Sequence, residues 1–150
     1  MKTFEGIASI NELMGIYGEN RDYFTSYIFN NLSVKDILSI MLILNPDFIE
    51  IDNKIYIYNN YLDYDQNDYN RFEQSNNGKE KYINNICITD LFFLKEDYYN
   101  KEVLLILGKK ILEFWKLKLN SDFQNIKFDF FIYEEGVYDE NGVCITFCQK

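Results

Sequence analysis

The pattern of apolar and charged residues between Lys101 and Leu119 (KEVLLILGKKILEFWKLKL) has the spacing of an α-helix. Its charged stripe, at spacings of seven, four and three, consists of Glu102, Lys109, Glu113 and Lys116. These spacings place the four side chains on one side of an α-helix, and the rest of the circumference is largely apolar. The pattern predicts a helix over about residues 98–119 that neighbouring elements cover on most sides. Gly108 indicates the close approach of a strand or a second helix.

The period changes to two after this helix. Residues 126–133 (IKFDFFIY) and 143–149 (VCITFCQ) each alternate, which is typical of β-strands with one apolar face. The segment between them contains Asn141-Gly142, a pair that adopts positive backbone dihedrals easily. The two strands are therefore predicted to form an antiparallel hairpin beneath the long helix, which is an α+β core.

The chain before this unit predicts helices first and strands afterwards. Helical spacing of apolar residues occurs at about residues 10–17 and 20–28, and a third helix begins after the Ser33 cap and ends at Asn45-Pro46. Ile37, Leu38, Met41 and Leu42 form the stripe that this third helix is expected to bury.

Residues 48–58 (FIEIDNKIYIY) predict a hairpin that turns at Asp52-Asn53. Residues 59–80 show no periodicity and are interpreted as a long surface loop, and residues 82–93 return to strand-forming residues, with a central strand expected near Ile86. The sequence thus predicts one α+β domain over residues 1–150, mainly helical over 1–45, with the sheet and the long helix over 46–150.

Composition excludes some function classes. Apolar residues make up 47% and aromatic residues 18%, with 13 Tyr, which favours a folded chain over a disordered acidic tail. The net charge of -9 disfavours direct binding to nucleic acid or to an anionic membrane, because both depend on Lys and Arg. A basic partner fits that charge, and solubility alone is the other explanation.

Residue types needed for catalysis are scarce. The chain has no His, the commonest general base, and its seven Gly are too scattered for a phosphate-binding loop. Carboxylate pairs such as Asp63 with Asp65, or Glu134 with Glu135, could do acid–base or metal chemistry, but 24 acids in 150 residues produce such pairs by chance. We therefore expect no enzyme activity, no cofactor and no metal.

The three cysteines do not predict a disulfide. Cys144 and Cys148 would lie ~13 Å apart along one strand at about 3.3 Å per residue, beyond the roughly 7 Å that a disulfide spans. The zinc-site spacing C-x2-C is absent. Together with Cys87, they are interpreted as core residues in a reducing compartment. Glu5 and Glu12 interrupt any signal peptide, and no apolar run exceeds five residues, so a cytoplasmic protein that does not span a membrane is expected.

Two segments combine carboxylates with tyrosines, a composition suited to gripping Lys and Arg of a partner. The partner-binding residues predicted from them are Asp63, Tyr64, Asp65, Asp68 and Tyr69 in the first segment, and Glu134, Glu135, Tyr138 and Asp139 in the second. The alternative for each segment is a solvated loop whose tyrosines cover nearby apolar surface.

Four stretches together resemble a known group of proteins: LNPDFIEID at 44–52, INNICITDLF at 83–92, LG at 107–108 with WKLKL at 115–119 and DF at 122–123, and VCITF at 143–147. Across residues 38–149 the chain resembles bacterial immunity proteins of polymorphic-toxin and contact-dependent growth inhibition systems. It departs from their pattern at Asn85 and Gln124, where His and Pro are expected.

The resemblance implies a non-catalytic protein that binds a cognate toxin domain in the cytoplasm and occludes its active site. The acidic, tyrosine-rich composition fits this expectation if the toxin is a basic nuclease. The other function considered is an acidic DNA mimic that inhibits a nucleic-acid-binding enzyme. Such a mimic should carry its charge along one extended face rather than in two loops.

Overall fold

A computed structural model describes residues 32–64, 78–91 and 101–150. The chain divides into two compact units, Met1–Leu44 and Asn45–Lys150. This division falls next to the predicted change from helices to sheet after residue 45. The helices predicted at residues 10–17 and 20–28 lie outside the described residues.

Helix α1 (Val34–Leu44) is the described helix of the first unit. The predicted cap is confirmed, since Ser33 Oγ accepts from the Asp36 N–H at 3.2 Å and Asp36 Oδ2 accepts from the Ser33 N–H at 2.8 Å. The expected buried stripe is not found: exposure of at least 40% is seen at Ile37, Leu38, Met41 and Leu42. Periodicity predicts which side chains share a face of a helix, but not whether another element covers that face.

The second unit contains two antiparallel sheets. Strands β1 (Phe48–Ile51) and β2 (Lys54–Ile57) form the predicted hairpin, with φ of 51° at Asp52 and 59° at Asn53. Strands β3 (Ile86–Cys87), β4 (Phe128–Tyr133) and β5 (Cys144–Gln149) form a sheet in the order β3-β5-β4. The predicted C-terminal hairpin is confirmed, and its register pairs Phe130 with Phe147.

The long helix packs on this second sheet as predicted. Helix α5 (Lys101–Asp122) buries Leu104, Gly108, Ile111, Trp115 and Leu119 and exposes the whole predicted charged stripe. A methyl group at Gly108 would lie 3.0 Å from Ile132 Cδ1, which confirms the close approach of a strand. Neighbouring elements cover less of the helix circumference than expected, since Leu117 is 64% exposed. Positions 98–100 of the predicted helix lie outside the described residues. The fold is α+β.

Short helices occupy segments that were predicted as loop and strand. They are α2 (Tyr58–Asp63), α3 (Gly78–Ile83) and α4 (Ile88–Leu91). The loop prediction for residues 59–80 is wrong at both of its ends, and the central strand of the sheet is β5, while the strand near Ile86 has only two residues and lies at the edge. Hydrogen bonds to residues far along the chain hold these short helices, so the local pattern of apolar residues did not predict them.

Helix α3 covers the face of β5 opposite to α5. Thr146 Oγ1 donates to the Lys81 carbonyl at 2.7 Å, and the buried Glu80 accepts from the Gln149 N–H at 2.8 Å. On the other face, the Trp115 and Phe147 rings lie 6.0 Å apart. The strand is therefore buried on both faces, which explains why all of Cys144 to Cys148 is buried.

Asn84 joins the two sheets directly after α3. Its fully buried side chain accepts from the Ile57 N–H at 2.8 Å and donates to the Ile55 carbonyl at 2.9 Å, and a longer hydrogen bond of 3.4 Å reaches the Phe147 carbonyl. This amide thus ties the edge strand β2 to β5, and Gln149 Oε1 adds a second tie by accepting from the Ile55 N–H at 3.3 Å. No helix in the described part of the chain is long and apolar enough to cross a membrane.

Candidate functional site

A row of half-buried tyrosines crosses the side of the molecule that carries α2 and α3. At the C-terminal end of α2, the rings of Tyr61 and Tyr64 lie 5.6 Å apart, and the Tyr61 ring lies 5.0 Å from that of the buried Tyr56. Asp63 is exposed beside them. Asn60 holds the helix in place, because its Nδ2 donates to the carbonyls of Ile83 and Asn85.

Helix α3 links this row to the loop between β4 and β5. Lys79 Nζ lies 5.6 Å from the centre of the Tyr64 ring, within cation–π range. Tyr82 lies three residues further on, and thus on the same side of the helix. Its ring contacts that of Tyr138 edge to face, with 5.5 Å between the centres. These contacts place Tyr64 and Tyr138, two residues predicted for partner binding, along one surface.

We define the tyrosine–acid face by Tyr61, Asp63, Tyr64, Lys79, Tyr82, Tyr138 and Asp139. The exposed Asp139 follows Tyr138, and both have a positive φ, of 67° and 57°. Burial raises the pKa of Tyr138, and that phenol therefore stays protonated at neutral pH. The face combines the exposed carboxylates of Asp63 and Asp139 with aromatic rings and one lysine.

Two of the predicted acids pair within the chain. Glu134 lies 3.3 Å from Lys101 Nζ, and the Glu135 carboxylate accepts a hydrogen bond from the same amine. That hydrogen bond is the main cause of the raised pKa of Lys101. All three side chains are exposed, so these two ion pairs contribute little to stability. Asp65, Asp68 and Tyr69 lie outside the described residues.

Sequence reasoning missed the residues that connect the two segments. Lys79 and Tyr82 lie on α3, which had been assigned partly to a loop and partly to a strand. The i, i+3 spacing of Lys79 and Tyr82 was the available signal, but one such pair is too common to identify a helix.

A second cluster lies at the pairing of β3 with β5, where Cys87 is directly opposite Cys144. Both thiols and a carboxylate oxygen of Glu140 lie within 4.8 Å of one another. Cys144 Sγ donates to Glu140 Oε2 at 3.5 Å, and Asn85 Nδ2 donates to the same oxygen. Cys148, on the same strand, lies outside this group. We call Cys87, Glu140 and Cys144 the thiol–carboxylate cluster.

Burial disfavours the charged form of every group in the cluster. Burial is the main cause of a raised pKa at Cys87, at Cys144 and at Glu140. Nearby Asp90 adds to the raised pKa of Glu140. No Lys or Arg within the described ranges pairs with Glu140. Three groups that could each be an anion therefore lie close together.

Neither the protein-family models, nor the curated proteins, nor the solved structures contain a match to this chain.

Proposed function

We propose that the protein is a non-catalytic immunity protein that binds a basic toxin domain through the tyrosine–acid face. The observation that carries this proposal is the row of contacts from Tyr61 to Tyr138, together with the exposed carboxylates of Asp63 and Asp139, which adjoin Tyr64 and Tyr138 in the chain. Aromatic rings supply most of the binding energy at protein interfaces, because they bury a large area at a small entropic cost.

The chemistry of the face suits a partner rich in Lys and Arg. Asp63 and Asp139 can each pair with a cationic side chain, and the tyrosine rings can receive cations on their faces. The net charge of -9 speeds encounter with a basic protein over longer distances. A basic nuclease meets these requirements, because its active site attracts phosphate, and an acidic protein that covers this site would block the substrate.

The arrangement of lysines makes a DNA mimic the weaker alternative. A mimic of a phosphate backbone needs an unbroken row of negative charge. On the tyrosine–acid face Lys79 lies beside Tyr64, and outside it Lys101 pairs with Glu134 and Glu135. These amines interrupt the negative charge, whereas a protein partner with both rings and charges of its own can tolerate them.

The test is isothermal titration of the full chain with the C-terminal domain of a secreted protein encoded beside its gene. We expect a 1:1 complex whose affinity falls as salt is raised, because the contacts are partly electrostatic. Nuclease activity of that domain should be lost at equimolar ratio. Absence of a complex at low ionic strength would overturn the proposal.

Two charge-matched double variants separate the face from net charge. Asp63→Asn with Asp139→Asn removes two negative charges from the face, and Asn tolerates the positive φ at position 139. Glu113→Gln with Asp122→Asn removes two from the exposed side of α5. The first pair should weaken binding at least about tenfold and the second less than about twofold. Equal losses in the two would show that only total charge matters.

A further inference from the structure

We infer that the thiol–carboxylate cluster is a Zn²⁺ site, with Cys87 Sγ, Cys144 Sγ and a carboxylate oxygen of Glu140 as its protein ligands. None of these three ligands belongs to the tyrosine–acid face as defined above, and the inference does not depend on the proposed function. It also departs from the sequence expectation of no metal, which rested on the absence of His and of a C-x2-C spacing. Strand pairing supplies the proximity that chain spacing does not.

The distances fit a single tetrahedral ion. With Zn–S near 2.3 Å and Zn–O near 2.0 Å, a sulfur and an oxygen on one ion lie about 3.5 Å apart, and two sulfurs about 3.8 Å apart. Cys144 Sγ lies 3.5 Å from Glu140 Oε2, and all three ligand atoms lie within 4.8 Å of one another. Small side-chain rotations bring the group to coordination distance without a change in the strands.

The ligand types select the metal. Two thiolates favour a borderline or soft ion such as Zn²⁺ over Mg²⁺ or Ca²⁺, which prefer oxygen. Two thiolates and one carboxylate carry three negative charges, and the divalent ion balances two of them. Three protein ligands leave the fourth tetrahedral position for a water molecule.

Asn85 and the β4–β5 loop position the carboxylate. The Asn85 amide donates to Glu140 Oε2, and hydrogen bonds of this kind commonly hold a metal ligand in its orientation. Its Oδ1 is buried and accepts no hydrogen bond within the described residues, so an oxygen acceptor beside the cluster lacks a donor. Gly142, with φ of 101°, turns the chain back toward the sheet, and a methyl group there would lie 2.3 Å from Thr89 Oγ1. Zn²⁺ would fasten this loop to β3.

The experiment is a Co²⁺ titration of the full chain, reduced and freed of metal by a chelator, followed by displacement with Zn²⁺. We expect one equivalent of Co²⁺ to give the sulfur-to-cobalt charge-transfer absorption of two thiolates, together with visible bands of tetrahedral cobalt. Zinc should abolish both. The titrations should be repeated for Cys87→Ser, Cys144→Ser, Glu140→Gln and Asn85→Ala.

Cys148→Ser is the matched control, because Cys148 is equally buried on the same strand but lies outside the cluster. It should bind cobalt like the native chain. Each cysteine variant in the cluster keeps one thiolate, so it should lose at least about 100-fold in affinity and about half of the charge-transfer absorption at saturation, and Asn85→Ala should lose about 10-fold or more in affinity. Circular dichroism of each metal-free variant checks that it folds.

Three results would overturn the inference. The first is cobalt uptake without charge-transfer absorption, which indicates binding to surface carboxylates only. The second is an equal loss of cobalt affinity in Cys148→Ser and Cys144→Ser. The third is no cobalt uptake by the reduced native chain.

Discussion

The Asn84→Ala substitution tests whether one buried amide holds the two sheets together. The side chain is fully buried and satisfies the Ile57 N–H and the Ile55 carbonyl, with hydrogen bonds of 2.8 and 2.9 Å. Truncation leaves both backbone groups buried without a partner, at about 1–3 kcal/mol for each. The expected loss is therefore about 2–6 kcal/mol, a large part of the ~5–15 kcal/mol typical of a whole domain.

Urea denaturation of both proteins, followed by circular dichroism and tryptophan fluorescence, measures this loss. Trp115 lies in the core against Phe147, so its emission reports on the sheet that β5 belongs to. The matched control is Asn60→Ala, which removes two hydrogen bonds at a half-buried site where water can replace them. A loss below about 1 kcal/mol in Asn84→Ala, or one no larger than in Asn60→Ala, would refute the reasoning.

Three further substitutions test the packing, the electrostatics and a turn. Gly108→Ala gains about 1 kcal/mol of helix propensity, but it places a methyl group 3.0 Å from Ile132 Cδ1, and such overpacking costs about 1–3 kcal/mol. Thermal unfolding should therefore show a net loss of stability of up to about 2 kcal/mol. A stabilised variant would contradict the close approach of the strand. Burial raises the pKa of Glu80 in the folded state, so its contribution to stability is most favourable below the unfolded pKa and declines as pH rises through the folded pKa. The stability of the native chain relative to Glu80→Gln should therefore fall as the pH rises above the unfolded pKa of about 4.5; urea denaturation at a series of pH values measures this, and a rise would refute the assignment. Gly142→Ala strains a φ of 101° and meets Thr89, so about 1–3 kcal/mol should be lost; urea denaturation unchanged from the native chain would contradict it.

The elements that the sequence predicted are those whose signals are local. Helix α5 follows from its charged stripe, the first hairpin from Asp52-Asn53, and the cap of α1 from Ser33 with Asp36. In each case the residues that determine the structure lie within a few positions of one another.

The elements that were missed depend on partners far along the chain. Two hydrogen bonds hold helix α3: Glu80 accepts from the Gln149 N–H, and the Lys81 carbonyl accepts from Thr146 Oγ1. Both partners lie more than 60 residues along the chain, so the sequence around α3 does not contain them. The thiol–carboxylate cluster was missed for the same reason, because Cys87 meets Cys144 only through the β3–β5 register. Of the candidate site, sequence supplied the residue types at Tyr64 and Tyr138, and the fold supplied Lys79 and Tyr82, which connect them.

Amide hydrogen exchange of the chain, alone and with the basic toxin domain, tests the central proposal most directly. Binding of the toxin domain should slow amide exchange in peptides covering Tyr58–Asp63, Gly78–Ile83 and residues 134–140. It should leave amide exchange in α5 around Glu113 unchanged. Slowed exchange confined to α5, with no change in those three segments, would contradict it.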